Sequence, residues 1–224
     1  KTADKIITVG NGLKKEIEKL AGRNDIEVIG NLVDLSLFDI RNVKKENNDF
    51  TFFSVAFLEG EKGFDTLIKS FAKVYKNKNV KLVIGGDGSQ KEWLKGIAKE
   101  NGVEPQVLFT GALSREEVAS WMNKCDVFVL PSRYETFGVV YIEALASGKP
   151  VIATFNGGAE DIINEEVGVL VEIDNVNKLA QAMEKVRENY NKYNPESLRN
   201  YCTEKFSANV IIKKIINVYK KVIR

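Results

Sequence analysis

Short runs of β-branched and other apolar residues alternate along this chain with longer stretches in which apolar residues recur at helical spacing. Glycine, asparagine or charged residues bound most of the short runs, which is typical of strands. The predicted strands are Lys5–Val9, Ile26–Ile29, Phe50–Ala56, Val80–Ile84, Gln106–Thr110, Asp126–Leu130, Pro150–Ala153 and Gly168–Val171. The predicted helices are Gly12–Ala21, Phe64–Tyr75, Gln90–Glu100, Ser114–Asn123, Phe137–Ser147, Gly157–Ile162 and Val176–Tyr190, with one or two more between Pro195 and Ile223.

Several of these strands, such as Val80–Ile84 and residues 127–130, are almost continuous apolar runs rather than alternating ones. That pattern is expected when helices cover both faces of a parallel sheet. The alternation of strand and helix therefore predicts an α/β domain with a doubly wound parallel sheet. In such a domain the ligand crevice lies outside the carboxyl ends of the strands, so the functional residues should follow the strands.

The stretch Asp39–Asp49 is polar, rich in asparagine and without period, which predicts a linker or a long surface loop. The residues before it hold one strand-helix-strand unit, too little for an independent domain. We therefore divide the chain into residues 1–38 and residues 39–224, the second being the main domain.

Composition narrows the chemistry. The chain has 224 residues, 33 Lys and Arg against 31 Asp and Glu, no histidine and two cysteines. A formal charge of +2 is too small for a nucleic-acid binder. The missing histidine excludes Ser-His-Asp triads and His-ligated metals in this chain. Two distant cysteines and no long apolar run predict a cytoplasmic protein in a reducing compartment that neither spans a membrane nor carries a signal peptide.

Two carboxylates bracket the N-terminus of the predicted helix that follows Leu130. Glu135 precedes the helix, whereas Glu143 is the only charge in an otherwise apolar segment that we expect to be buried. A buried carboxylate needs a partner, which could be a fixed donor or a ligand hydroxyl. Gly138 would let a ligand approach the free amides of the first turn, where the helix dipole favours a phosphate. The alternative is structural: Glu135 would cap the helix and Glu143 would pair with a core arginine.

Two further features follow other strands. Lys62 precedes a predicted helix N-terminus, where a lysine opposes the dipole unless it serves an anion; otherwise it is a solvated turn residue. The loop Gly85–Gly88 lacks the third glycine of a dinucleotide fingerprint, so it is a weak signal for NAD, and the pair Gly157-Gly158 would allow backbone to approach a ligand. The chain has no Asp-x-Asp, and we expect neither a metal nor another cofactor.

Several segments carry a family resemblance: ADKIITV from Ala3, NLVD from Asn31, EKG from Glu61, Gly85–Gly88, LFTG from Leu108, LPS from Leu130 and Gly157-Gly158. The most specific is the Glu-x7-Glu motif of Glu135 and Glu143, set in PSRYETFG and EALASGKPV. In this order, over most of residues 1–190, they resemble the nucleotide-sugar-binding lobe of retaining glycosyltransferases of group 1, or family 4. That family has the GT-B fold, in which this lobe is Rossmann-like.

The resemblance implies roles for single residues. Glu135 would lie near the transferred sugar and Lys62 would contact the diphosphate; we assign both as catalytic. Glu143 would hold the ribose. The remaining donor-binding residues would act through their backbone: Phe137, Gly138 and Val139 at the sugar or diphosphate, Ala112 and Leu113 at the base, and Gly86 in the glycine-rich loop.

Two positions depart from the family pattern. An arginine that usually forms a second diphosphate clamp is replaced by Phe57, which leaves donor identity and full activity open. A charge-assisted contact of this kind contributes about 1.5–3 kcal/mol. Arg133 and Lys149 are the candidates to replace it. The usual glycine of the Asn-Gly-Val-Asp segment is Leu32, a minor loop change.

We interpret residues 1–38 as a remnant of the N-terminal acceptor lobe with the interlobe crossover, and expect this chain alone to bind a donor without turnover. The basic, amphipathic C-terminal helix should pack on that lobe or its remnant; contact with the inner face of the membrane is the alternative. The prediction is metal-independent, retaining transfer from a UDP- or GDP-linked sugar to a sugar, lipid or polymer acceptor, in glycan biosynthesis. The alternatives are a degenerate nucleotide-sugar-binding module and a nucleotide-sugar epimerase of the same fold.

Overall fold

A computed structural model describes residues 3–41 and 49–223. The strands are β1 (Ile6–Thr8), β2 (Ile26–Val28), β3 (Phe50–Val55), β4 (Val80–Gly85), β5 (Val107–Gly111), β6 (Val127–Leu130), β7 (Val151–Thr154) and β8 (Gly168–Val171). The helices are α1 (Asn11–Ala21), α2 (Phe64–Tyr75), α3 (Lys91–Glu100), α4 (Arg115–Lys124), α5 (Val139–Ala146), α6 (Val176–Glu188), α7 (Pro195–Phe206) and α8 (Ala208–Val222). Short 3₁₀ turns occupy Gly60–Lys62, Glu104–Gln106, Ala159–Asp161 and Tyr190–Lys192.

Six of the strands form one parallel sheet in the order β5-β4-β3-β6-β7-β8. Along the chain, β3, β4 and β5 are added outward on one side of the sheet, and β6, β7 and β8 are added outward on the other side. The direction of strand addition therefore reverses between the neighbouring strands β3 and β6. Every residue of β6 and β7 is buried, as the continuous apolar runs predict. The doubly wound α/β fold is therefore confirmed, and the switch point where a ligand crevice opens lies between β3 and β6.

Each helix covers the sheet with the apolar face that the pattern of its sequence predicts. In α2 the apolar residues recur at helical spacing and are buried: Phe64, Leu67, Ile68, Phe71 and Tyr75. α2 packs beside α3 and α6, while α5 packs beside α7. These contacts, with the sheet, form one large core cluster that fixes the strand ends and the loops that follow them.

The first strands form a separate unit. β1 and β2 pair in parallel as a two-stranded sheet, with α1 between them in sequence. Helix α8 packs on this unit through Ile211 and Val218 against Ile29, and Lys221 forms an ion pair with Glu27 at 3.0 Å. The expectation that the C-terminal helix packs on residues 1–38 is confirmed. Its origin as a lobe remnant stays a prediction.

One predicted helix differs in the structure. The predicted helix Gly157–Ile162 is wrong: only the 3₁₀ turn Ala159–Asp161 forms, because Asn156 Oδ1 accepts the N–H groups of Gly158 and Ala159 and turns the chain. The region from Pro195 to Ile223 is two helices, broken at Ser207, which bridges to Val33. The predicted linker Asp39–Asp49 lies mostly outside the described residues.

Candidate functional site

The two loops at the switch point bring Lys62 and Glu135 together across 73 residues of sequence. Lys62 Nζ lies 3.1 Å from Glu135 Oε1, and that oxygen also accepts a hydrogen bond from Ser132 Oγ at 2.8 Å. A second carboxylate, Glu61, lies 3.4 Å from the same lysine. The side chains of Lys62 and Glu135 are each 16% exposed. The structure thus joins both predicted catalytic residues in one partly buried ion pair at the mouth of the crevice.

Gly63 allows the two loops to approach each other. It has φ 68° at the N-terminus of α2, directly after the turn that carries Lys62. A Cβ at this position would lie 2.2 Å from the carbonyl oxygen of Pro131, in the loop after β6. A glycine is therefore needed both for the backbone conformation and for the close contact. This contact holds Lys62 beside the loop that carries Glu135.

Helix α5 begins at this mouth without a side-chain cap. Its N-cap is Gly138, with φ 92°, and Glu135 does not cap the helix because its carboxylate is bound to Lys62 and Ser132. The first-turn amides of a helix lack intrahelical acceptors and lie at the positive end of its dipole. Val139 is exposed, so the expectation that α5 is buried all round is wrong: its first turn opens into the crevice. That turn is suited to an anion.

The residues beside this turn offer backbone rather than side chains. Phe137 is buried, with its ring edge-on to Phe206 at 5.8 Å. A Cβ on Gly138 would lie 2.3 Å from the ring of Tyr141, which is fully buried and donates a hydrogen bond to the Leu130 carbonyl. Gly138 is therefore required by packing and conformation as well as by access to the helix terminus.

Glu143 lies one turn further along α5 and faces a cavity of about 560 Å³ shared with Asp34, Arg115 and Val139. Its side chain is 14% exposed, and burial raises its pKa to about 7, an effect that Arg115 opposes. Arg115 Nη2 lies 3.6 Å from Glu143 Oε1, and the described residues make no hydrogen bond to this carboxylate. The structural alternative, in which Glu143 pairs with a core arginine, is wrong in one respect: Arg115 is the partner, but its side chain is 64% exposed and not in the core.

Neither candidate replaces the missing arginine. Arg133 binds Asp65 at 2.9 Å and Asp174 at 2.7 Å, and it also donates to the Gly60 carbonyl. The bond to Asp174 is the main reason that the pKa of Arg133 is raised. This arginine therefore ties the loops after β3 and β6 to the loop after β8.

Lys149 lies at the opposite, amino-terminal end of the strands, between α5 and β7, where it donates to the Asn123 carbonyl at 3.2 Å. Phe57 follows β3 with a side chain 79% exposed. The position of the usual second clamp thus presents an aromatic ring to solvent, and neither cation is available to compensate.

The loops after β3, β4 and β5 are locked to one another. Gly86 N–H donates to the Gly111 carbonyl at 2.7 Å, and Leu58 N–H donates to the Asp87 carbonyl at 3.0 Å. The amide of Gly86 is therefore occupied within the chain, and the residue shapes the crevice wall. Ala112, next along the chain, is exposed and can offer its backbone, as the resemblance implies.

The glycine pair 157–158 is closed by the chain itself rather than open to a ligand. Gly157 N–H donates to the Glu160 carboxylate, and Gly158 N–H donates to Asn156. The following turn brings Asp161 to the N-terminus of α1, where its carboxylate accepts the backbone amide of Asn11 at 2.6 Å and the side-chain amide at 2.7 Å. Sequence reasoning missed this contact because its partners lie 150 positions apart and belong to no motif.

A larger cavity, of about 650 Å³, lies against β8 and α6 and contains none of the predicted site residues. Its lining includes Phe155, Lys185 and Tyr193. We assign the site by its chemistry, which places it at the switch point.

Over the described ranges, every helix is too short or too polar to cross a membrane.

Comparison with known proteins adds to this geometry. The family model for glycosyl transferases group 1 matches residues 36–205. An uncharacterized glycosyltransferase of Methanocaldococcus jannaschii is 30% identical over 231 residues, covering 96% of this chain and 59% of that protein.

Two solved structures superpose closely. Sucrose-phosphate synthase from Thermosynechococcus elongatus gives a TM-score of 0.88 at 24% identity, covering 99% of this chain and 59% of that one. HepE from Anabaena, solved in complex with UDP-glucose, gives 0.86 at 24% identity, covering 98% and 64%. These two likenesses show the fold. The chain spans less than two thirds of each of the three proteins.

Proposed function

This chain belongs to the group 1 glycosyl transferases and forms a C-terminal domain of the GT-B fold, and from this premise we propose how the protein acts. It transfers a sugar from a nucleoside diphosphate sugar to a sugar, lipid or polymer acceptor. The anomeric configuration is retained and no metal ion takes part. The described domain binds the donor.

One observation carries the proposal: at the switch point of the sheet, Lys62 pairs with Glu135, three residues before Gly138, the uncapped N-cap of α5. A cation and a helix N-terminus together suit a diphosphate, whose negative charge grows as the sugar departs. The sheet and Gly63 hold the backbone that carries these groups in place, so both lie at the crevice before that charge develops. The UDP-glucose in the HepE structure supports a donor of this class.

Donor binding would have a second effect, because it would change the ion pair between Lys62 and Glu135. In the described structure, Glu135 and Glu61 both neutralise Lys62. An incoming diphosphate competes for this lysine and leaves Glu135 bound to Ser132 alone, beside the place where the sugar must lie. The carboxylate is then positioned to accept a sugar hydroxyl or to stabilise positive charge at the anomeric carbon.

The test is binding of UDP, GDP and ADP and of their glucose conjugates, by thermal shift and calorimetry. For the nucleotide that binds, Lys62→Ala should weaken the affinity at least tenfold. This is the lower limit for the loss of a charge-assisted contact of about 1.5–3 kcal/mol. Lys69→Ala, on the exposed side of α2, removes the same charge and should leave affinity unchanged. Equal effects of the two variants, or no nucleotide binding at all, would reject the proposal.

Phe57 favours a second candidate, a module that binds the donor without turnover. With Arg133 engaged elsewhere and Phe57 exposed, Lys62 is the one cation offered to the diphosphate by the described loops after β3 and β6. Phe57→Arg should raise diphosphate affinity about tenfold through a new charge-assisted contact. Donor hydrolysis measured in parallel in the full-length protein separates the candidates, because turnover by the full-length wild type excludes the binding module.

A further inference from the structure

Arg115 is the only partner of the Glu143 carboxylate among the described residues, and no motif assigns it a role. It is the first residue of α4, a helix start fixed by reciprocal hydrogen bonds between Ser114 and Glu117. Its guanidinium also lies 5.7 Å from the centre of the Phe38 ring. The start of α4 and this ring contact together hold an exposed cation over the cavity that Glu143 faces.

The geometry of the pair leaves the carboxylate open. At 3.6 Å, Arg115 and Glu143 are close enough to attract each other but too far apart for a good hydrogen bond. The described residues supply no other donor, so a mostly buried carboxylate keeps its acceptor capacity free toward the cavity. Burial favours the protonated form of such a group, whereas the nearby guanidinium favours the charged form.

One other charged group lines this cavity, Asp34, and it does not compete for the arginine. Its carboxylate accepts hydrogen bonds from Ser36 N–H and Oγ and from Leu37 N–H. These bonds, the side chain of Ser36 first, lower the pKa of Asp34, and Arg115 contributes least. The segment at the start of α8 adds only uncharged residues to the cavity wall.

We propose that Arg115 is a positioning residue that keeps Glu143 ionised and aimed into the cavity, ready to accept hydrogen bonds from the two ribose hydroxyls of a nucleotide. The inference rests on the proposed function, since it takes the cavity to be the nucleoside end of the donor site. The ionised carboxylate accepts through both of its oxygens, whereas protonation turns one of them into a donor. Arg115 acts through Glu143, not by touching the ribose itself.

The first test needs no nucleotide. Carbon-13 NMR of the carboxyl groups, with Glu143 assigned by the signal lost in Glu143→Gln, follows its titration directly. Arg115→Gln should raise the pH at which Glu143 titrates, and Arg115→Lys should restore most of the wild-type behaviour. Lys124→Gln, at the far end of the same helix, removes an equal charge and should leave the titration unchanged.

The second test follows UDP binding by calorimetry from pH 6 to 9. Arg115→Gln should weaken binding about threefold at pH 7 and less as the pH rises, because the carboxylate ionises in any case at high pH. In a Glu143→Gln background the same substitution should have no effect. Melting temperatures of all variants confirm that they are folded.

Two results would overturn the inference: a Glu143 titration that does not move in Arg115→Gln, or an equal loss of UDP affinity in the Glu143→Gln background, which would mean direct contact with the nucleotide. A wild-type chain that binds no nucleoside diphosphate would instead reject the proposed function. The NMR titration would then still decide whether Arg115 controls the ionisation of Glu143.

Discussion

Glu143→Gln removes a charge that the fold holds at a cost. In the folded chain burial raises the pKa of Glu143 to about 7 from its ordinary 4.5, so the folded state binds this proton more tightly than the unfolded state. The wild-type domain therefore loses stability as the pH rises from about 4.5 to about 7, and the full cost is present above pH 7. Glutamine keeps the shape of the side chain without the charge.

The size of the effect follows from the two pKa values. At about 1.4 kcal/mol for each pH unit between them, the cost of ionisation is about 3 kcal/mol above pH 7. The buried amide of glutamine retains some desolvation cost, which reduces the net gain to about 2 kcal/mol. For a chain of this length, that corresponds to a rise in melting temperature of about 4–8 °C.

Urea or thermal unfolding of the two proteins at pH 4, 6 and 8 measures this effect. The advantage of Glu143→Gln should be absent at pH 4, partial at pH 6 and complete at pH 8, while UDP affinity at pH 8 falls. Glu116→Gln, at an exposed position of α4, is the control and should show no such pH dependence. A Glu143→Gln protein that is less stable than wild type at pH 8 would refute the reasoning, because Glu143 would then be satisfied by contacts that the structure does not contain.

Two further variants test the packing that supports the site. Gly138→Ala should destabilise the domain by about 3 kcal/mol in urea unfolding, since a Cβ at φ 92° meets the buried ring of Tyr141 at 2.3 Å; Gly96→Ala, in α3 with open space around it, should stabilise slightly, and equal effects would exclude this account. Asp161→Ala should cost about 1 kcal/mol by removing the acceptor that caps α1 at Asn11, and Asp161→Asn should cost less; hydrogen exchange of the first α1 amides should rise in both, whereas unchanged protection would contradict the cap.

Local patterning predicts most of the fold. Apolar runs and helical spacing locate the strands and most of the helices because burial on the two faces of a strand, or on one face of a helix, is a property of neighbouring positions. The prediction fails at residues 157–162. There the side chain of Asn156 takes the amides that a helix would use, a competition that propensity alone does not settle.

The candidate site likewise has a part that the sequence predicts and a part that only the structure shows. The sequence by itself places Lys62, Glu135 and Gly138 between strand ends and helix starts, and Glu143 inside the helix that follows, since motif spacing is local. Only the tertiary structure joins Lys62 to Glu135, commits Arg133 to Asp65 and Asp174, and sets Arg115 as the partner of Glu143. These pairings depend on the order of the strands in the sheet, which brings distant loops to one crevice, and on how far each charge is removed from water. The spacing of residues along the chain gives neither the order of the strands nor the burial of a charge.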